Sequence, residues 1–295
     1  MSKNCPIMQR MKDNYEKRNR TSLTRRTPVS IRLDGKAFHT YTRGLNKPFD
    51  EGLISDMQQT TIFLCQQIQG CKMAYTQSDE ISLLLTDYDK VNTQAWFDNE
   101  VQKMVSISAS FATAEFNRLR GRRFEQERGQ YFLKKPLLAY FDSRAFNIPK
   151  EDVSNYFVAR QRDAVKNSIA MLAQSLYSPK ELHKKNGSEM QELAFQKGHN
   201  WNDLHWSKKR GSLVVKNTYV NGNLVNVYPN LAMSMGEYEY YPKGCREDVK
   251  EAELRVCIED TPHCWDEVLI EKVRSRWEVV ETPMSFVNYF EDNFL

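Results

Sequence analysis

Two short apolar runs, CKMAYT at residues 71–76 and EISLLLT at 80–86, stand only three residues apart. Apolar runs of this length, bounded by polar residues, predict buried strands. So short a link leaves an antiparallel hairpin as the connection. Its tip, Gln77-Ser78-Asp79-Glu80, ends in two adjacent carboxylates. Upstream, Val29, Ile31 and Leu33 alternate with Ser30 and Arg32, the period of a strand, and Asp34-Gly35 ends it. Between these strands, Leu53, Ile54, Met57, Thr61, Leu64 and Ile68 recur at helical spacing, and Gly70 is the expected stop. After the hairpin the pattern predicts a helix over 98–120, with Asp98 as N-cap and Gly121 as stop, then a buried strand over 137–141. The order is β-α-β-β-α-β, the ferredoxin-like arrangement used by RNA-binding modules, nucleotidyl cyclases and polymerase palms.

Past Pro149 the pattern changes. A long helix is expected from residue 150 to about 178, a short one over 178–185, and another over 187–198 with Ser188 and Gln191 at capping-box spacing. Residues 211–229 read as a β-hairpin around Asn221-Gly222, which suits a type I′ turn. The expected fold class is α+β: a ferredoxin-like lobe over 1–148, a helical and hairpin lobe over 149–242, and a dependent acidic α/β segment over 243–295. The lobes are expected to pack together, because no low-complexity linker separates them.

In 295 residues, 40% hydrophobic and 27% charged side chains describe an ordinary globular composition, and no apolar run reaches membrane-span length. The polar N-terminus has no secretory h-region. The six cysteines, Cys5, Cys65, Cys71, Cys245, Cys257 and Cys264, form no C-x-x-C, and the adjacent His263-Cys264 does not match zinc spacings. Free thiols and a cytoplasmic location are expected. The net charge of +4 is divided unevenly: from Lys243 onward there are 7 Lys+Arg against 13 Asp+Glu, so residues 1–242 carry +10. Dense basic clusters lie at 17–26, 118–128 and 208–210, and a polyanion partner would account for them.

In a ferredoxin-like sheet the first strand is antiparallel to the third, so Asp34 should meet Asp79 and Glu80 on one edge. Carboxylates held together repel unless a cation neutralises them. Hard oxygen ligands without His or Cys favour Mg²⁺, and two such ions roughly 3.5–4 Å apart serve phosphoryl or nucleotidyl transfer. Gly35 permits close backbone approach to a metal or phosphate. The catalytic candidates are therefore Asp34, Asp79 and Glu80. A palm-type nucleotide cyclase is an alternative on the same topology. A non-catalytic RNA-binding protein is another, though VSIRLD and EISLLLT lack the exposed aromatics that stack bases in such modules.

IRLDGKAFHTY, KPFD at 47–50, YTQSDEISLLL, WFDNEVQKMVSISASFATAEFN, AYFDSRAFNIP and GHNWNDL…KKRGSLVVK together resemble the tRNA-His guanylyltransferase family, which adds nucleotides to RNA in the 3′-to-5′ direction. The resemblance runs from about residue 29 to 216. It implies a polymerase-like palm with two Mg²⁺ ions held by Asp34, the Gly35 carbonyl and Asp79. It also implies a triphosphate (GTP or ATP) cradled by Asp34, Gly35, Lys36, Ala37, Phe38 and His39 together with Ser78 and Asp79, with Lys47 and Lys103 nearby. tRNA is the implied substrate, and a homo-oligomer, often a tetramer, the implied assembly. Thr76 stands where the family has Gly. VKNSIAM, from Val165, stands where the eukaryotic enzymes carry HINNLYN. The helix around it resembles the guanylyltransferase-like branch, which repairs incomplete tRNA 5′ ends by template-matched addition.

Overall fold

The structure, a computed structural model, describes residues 5–128, 138–220, 223–225, 253–255 and 270–281. A helical N-terminal segment opens with α1 (Pro6–Met11) and continues through a π turn and a 3₁₀ turn to Asn19. There follow β1 (Val29–Gly35), α2 (Phe38–Tyr41), α3 (Glu51–Gln67), β2 (Cys71–Gln77), β3 (Glu80–Leu85), α4 (Val101–Arg128) and β4 (Phe141–Asn147). The remainder comprises α5 (Val153–Leu176), α6 (Gly187–Gln196), α7 (Trp206–Arg210), β5 (Ser212–Val220), β6 (Asn223–Val225), β7 (Glu253–Arg255) and β8 (Ile270–Glu281). The strands form one antiparallel sheet in the order β4-β1-β3-β2-β5-β8-β7, with β6 beside β5. The hairpin beyond Pro149 thus extends the sheet begun at β1, and the acidic C-terminal segment supplies two further strands to it.

Alternation along β1 sends Val29, Ile31 and Leu33 to one face, where Met57, Leu64, Ile68 of α3 and its C-cap and Met104, Ala112, Phe116 of α4 cover them. The opposite face of β2, β3 and β5 is apolar too: Met73, Tyr75, Leu84, Leu213 and Val215 pack under Val153, Phe157 and Ala164 of α5. These central strands are buried on both sides, which is why they read as continuous apolar runs rather than alternating ones. On β1 that second face is polar, carrying Ser30, Arg32 and Asp34.

Several expectations about elements are corrected. Helix α4 passes through Gly121, around which nothing crowds, and continues to Arg128. Asp98 does not cap it; with φ of 52° it sits in the preceding turn and binds Arg25. The strand expected over 137–141 begins only at Phe141, and Leu137 lies outside the described residues. Residues 179–184 form turns rather than a helix, and α6 is capped by Asn186 with Glu189 instead of Ser188 with Gln191. Asp50 caps α3 through the Leu53 amide at 2.8 Å, and Gly70 follows the helix with φ of 79°, where an L side chain would be strained. Asn221-Gly222, expected as the turn, lies outside the described residues; Val220 and Asn223 on either side are paired.

One end of the sheet gathers the C-terminus of β1, the β2–β3 turn and the starts of β4 and β5. Helix α3 begins at this end and α4 finishes there, locked by Asp56 to Arg120 and Arg123. The far end carries Val29, Leu85 and Asn147 and the start of α4, where the Val101 amide bonds the Thr21 carbonyl. Among the described residues no helix is long and apolar enough to cross a membrane.

Candidate active site

Directly opposed residues of an antiparallel ladder share a face. The register Gln77↔Glu80, Glu80↔Asp34 and Asp34↔Asp142 therefore sets these four side chains in one row across the sheet end. Asp79 stands beside the row in the two-residue turn, tied to β1 by a 3.1 Å bond from the Gly35 amide to its carbonyl. Ser78 turns the chain with φ of 54° and donates its hydroxyl to Asp79 Oδ1 at 3.0 Å. Asp142 is the carboxylate the sequence reading missed. Its signal was available in FDSR at the start of β4, but only the register shows that it faces Asp34.

The acids differ in their partners. Glu80 is bound by Arg32 at 2.8 Å and by Arg160 at 3.3 Å. Asp142 has Arg144 at 3.6 Å. Among the described residues no Lys or Arg forms an ion pair with Asp34 or Asp79. Burial pushes the Asp79 carboxyl above its ordinary range; the Ser78 hydroxyl and a backbone bond oppose this, while the charges of Asp34 and Glu80 add to it. Asp34 and Asp79 are thus half-buried carboxylates with no Lys or Arg ion-pair partner among the described residues, and oxygen donors of this kind could hold Mg²⁺. Among the described residues no three His, Cys, Asp or Glu side chains group as a metal site. Cys245, Cys257, His263 and Cys264 lie outside the described residues, and Cys5, Cys65 and Cys71 are free thiols.

The segment after β1 is shaped by Phe38. Its ring is buried with Tyr41, Phe116 and Phe141, at centroid distances of 5.0, 5.7 and 5.3 Å. A Cβ on Gly35 would lie 2.3 Å from Phe38 Cδ2. Glycine is required here for close approach, and the neighbour it admits is this ring, while its amide is used by Asp79. Phe38 is thus a packing residue of the core. The Lys36 amide bonds the Tyr140 carbonyl at 2.8 Å, and Ala37 enters α2 from the left-handed region, φ 54°. Lys36, Ala37 and His39 are exposed, and the His39 ring lies 3.0 Å from the Thr40 hydroxyl. The first-turn amides of a helix lack intrahelical acceptors, so the backbone at Ala37, Phe38 and His39 offers donors. Lys47 is exposed on the connection between α2 and α3, which leaves and rejoins this end of the sheet. Lys103 is not brought to the site. It pairs with Glu100 at 2.9 Å in the first turn of α4, about 20 Å down the helix from Phe116 at about 1.5 Å rise per residue.

Thr76, at the place where a glycine was the family expectation, is buried and donates its hydroxyl to the Glu80 carbonyl at 2.9 Å, bracing the hairpin. Because the aromatic cluster around Phe38 cannot move aside, Gly35→Ala should cost about 1–3 kcal/mol, the usual penalty of overpacking a core. Thermal or urea unfolding measures this, and an unchanged midpoint would contradict the close approach.

The family model for tRNAHis guanylyltransferase matches residues 8–149. A bacterial tRNA(His) guanylyltransferase-like protein, solved in complex with GTP, is 36% identical, covers 97% of this chain and 96% of its own, and superposes with a TM-score of 0.66. A bacterial protein of the same description, solved in complex with ATP, is 46% identical over 71% of this chain and 88% of its own, also with a TM-score of 0.66. The probable tRNA(His) guanylyltransferase of Dictyostelium discoideum is 26% identical over 64% of this chain and 75% of that protein. With likeness to two solved relatives at these identities and a carboxylate pair where the DG and QSDE motifs meet, this chain belongs to the tRNA(His) guanylyltransferase family of nucleotidyltransferases.

Proposed function

We propose that the protein is a template-dependent 3′–5′ polymerase that adds nucleotides to tRNA 5′ ends, and that its β-α-β-β-α-β sheet serves as a polymerase-type palm. The observation that carries this reading is that Asp34 and the Asp79 turn come to the same sheet end, with no Lys or Arg ion pair to either carboxylate among the described residues. Asp34, Asp79 and the Gly35 carbonyl would hold Mg²⁺, which when bound supplies charge neutralisation for the triphosphate and acidifies the attacking hydroxyl. The exposed backbone at Lys36, Ala37 and His39, with Ser78 and Lys47, would bind and orient the triphosphate of GTP or ATP; the similarity to bacterial proteins solved with these nucleotides supports this. The RNA 5′-monophosphate would first attack the α-phosphorus of a nucleoside triphosphate and release pyrophosphate; the 3′-hydroxyl of the incoming nucleotide would then attack the activated 5′ phosphorus of the RNA, forming the phosphodiester and displacing the nucleoside monophosphate.

A shallow groove along α5, lined by Asn155, Arg162, Asp163 and Lys166, adjoins the Arg160–Glu80 pair and would take the phosphate backbone of the RNA. Repair is favoured over addition of G alone by the helix around Val165. Lys166 and Asn167 there are exposed, while Ser168 is turned inward, bonded to the Trp201 indole and the Lys209 carbonyl. The experiment presents tRNAs lacking their first 5′ nucleotide, with C, A, U or G as the template base opposite. The preferred nucleotide should change from GTP to UTP, ATP and CTP in turn. Addition of G whatever the template base would make this a dedicated guanylyltransferase. A cyclic nucleotide product, or binding without turnover, would point to a cyclase or to a non-catalytic RNA-binding protein.

A further inference from the structure

Glu80 lies in register opposite Asp34, yet both of its oxygens are already engaged. Oε2 meets Arg32 Nη2 at 2.8 Å, and Arg160 Nη1 lies 3.3 Å from Oε1 and 3.5 Å from Oε2. Arg32 sits two residues before Asp34 on the same strand face, and its buried Nε has no hydrogen-bond partner, so Glu80 is what holds this guanidinium. Arg160 belongs to α5 and is itself steadied by Asp163 at 3.7 Å. One helical turn earlier, Tyr156 makes a second polar contact between α5 and the sheet, its hydroxyl 3.2 Å from that of Ser82. The four side chains Arg32, Glu80, Arg160 and Asp163 balance to zero charge, and about a fifth to a quarter of Arg32, Glu80 and Arg160 is exposed. A carboxylate shared between two arginines is a poor ligand for a free metal ion, because coordination would have to strip both partners from it.

We propose that Glu80 is a positioning residue: its carboxylate ties Arg160 of α5 to Arg32 of β1, fixing the helical layer and two guanidinium charges against the edge that carries Asp34. Metal binding is left to Asp34 and Asp79. This inference rests on the nucleotidyl-transfer reading and adds to it which part of the QSDE turn is ligand and which is scaffold.

The test compares the wild type with Arg160→Ala, Arg160→Lys, Glu80→Gln and the Glu80→Gln/Arg160→Ala double variant. It measures kcat, the half-saturating Mg²⁺ concentration, and hydrogen exchange of the α5 amides. In Arg160→Ala and in Glu80→Gln, kcat should fall about 100-fold, the effect of a small misplacement of aligned groups. Half-saturating Mg²⁺ should not change, Arg160→Lys should recover part of the rate, and the double variant should lose no more than the worse single one. Exchange in α5 should quicken in both single variants. A raised Mg²⁺ requirement in Glu80→Gln, or losses that multiply, would make Glu80 a ligand and overturn the proposal. So would Arg160→Ala with wild-type kcat, a result that stands even if Glu80→Gln does not fold. Were the wild type to add no nucleotide, the nucleotidyl-transfer reading would fall, and exchange in α5 would then decide by itself whether the tie exists.

Discussion

Asp79→Asn should lower nucleotide addition roughly 1,000-fold, about 4 kcal/mol, and raise the melting temperature of the protein in the same experiment. The loss follows from removing one of the two carboxylates without a cation partner. The gain follows from its surroundings: Asp79 is half-buried, and desolvation, then the nearby charges of Asp34 and Glu80, disfavour its ionised form. The folded state therefore holds the Asp79 proton more tightly than the unfolded chain does. As pH rises from the ordinary aspartate range through the raised value, the wild type loses stability relative to Asp79→Asn; above that value the deficit is constant, and below the ordinary range it vanishes. Thermal melts between about pH 4 and pH 8, where an unfolded aspartate titrates near 3.9, check the sign. Added Mg²⁺ should close the gap by stabilising the wild type more than the variant, since a ligand that binds only the folded state stabilises it. Equal melting temperatures at neutral pH, with addition intact, would remove Asp79 from the site. With both outcomes, the proposed function at this edge would be held at the expense of stability.

The largest effect on folding is expected from Asp56→Ala. Asp56 is buried between α3 and α4; it accepts from Arg120 Nη1 at 3.0 Å and, through both oxygens, from Arg123 Nη2 at 2.7 Å and Nε at 2.9 Å. Truncation would leave the buried Arg120 guanidinium without its carboxylate. Breaking such a buried pair costs about 3–5 kcal/mol, a large part of the roughly 5–15 kcal/mol that keeps a domain folded. The melting temperature should drop by roughly 10 °C on the scaling for domains of this size. Replacing Asp56, Arg120 and Arg123 together by apolar residues should restore much of it, because the ions are expensive to desolvate. A single Asp56→Ala variant that melts within about 2 °C of the wild type, less than the shift expected for 1 kcal/mol, would show the cluster to be solvated in solution. Tyr41, whose ring packs against Phe38, also feels the charge of Arg120, so the same variant should loosen the segment after Gly35.

Periodicity alone determined the core of this protein. The alternation of Val29, Ile31 and Leu33, the helical spacing from Leu53 to Ile68, and the unbroken runs of β2 and β3 are local signals, and hydrophobic burial acts on them whatever lies elsewhere in the chain. The meeting of Asp34 with Asp79 followed from topology, since an antiparallel first and third strand admits no other placement of the β2–β3 turn. Helix ends were less legible. Gly121 does not end α4, because the helix is held by packing and by Arg120 and Arg123 on Asp56, which outweigh the roughly 1 kcal/mol cost of one glycine. Partners far apart in sequence could not be read at all. Lys103 sits at the far end of α4 because the chain enters that helix beside Thr21, and Asp142 faces Asp34 only through the β1–β4 register. Only the tertiary structure decided which acids of the cluster are neutralised. Arg160 reaches Glu80 across 80 residues of chain, and an ion pair is set by distance in space, to which composition and spacing are blind.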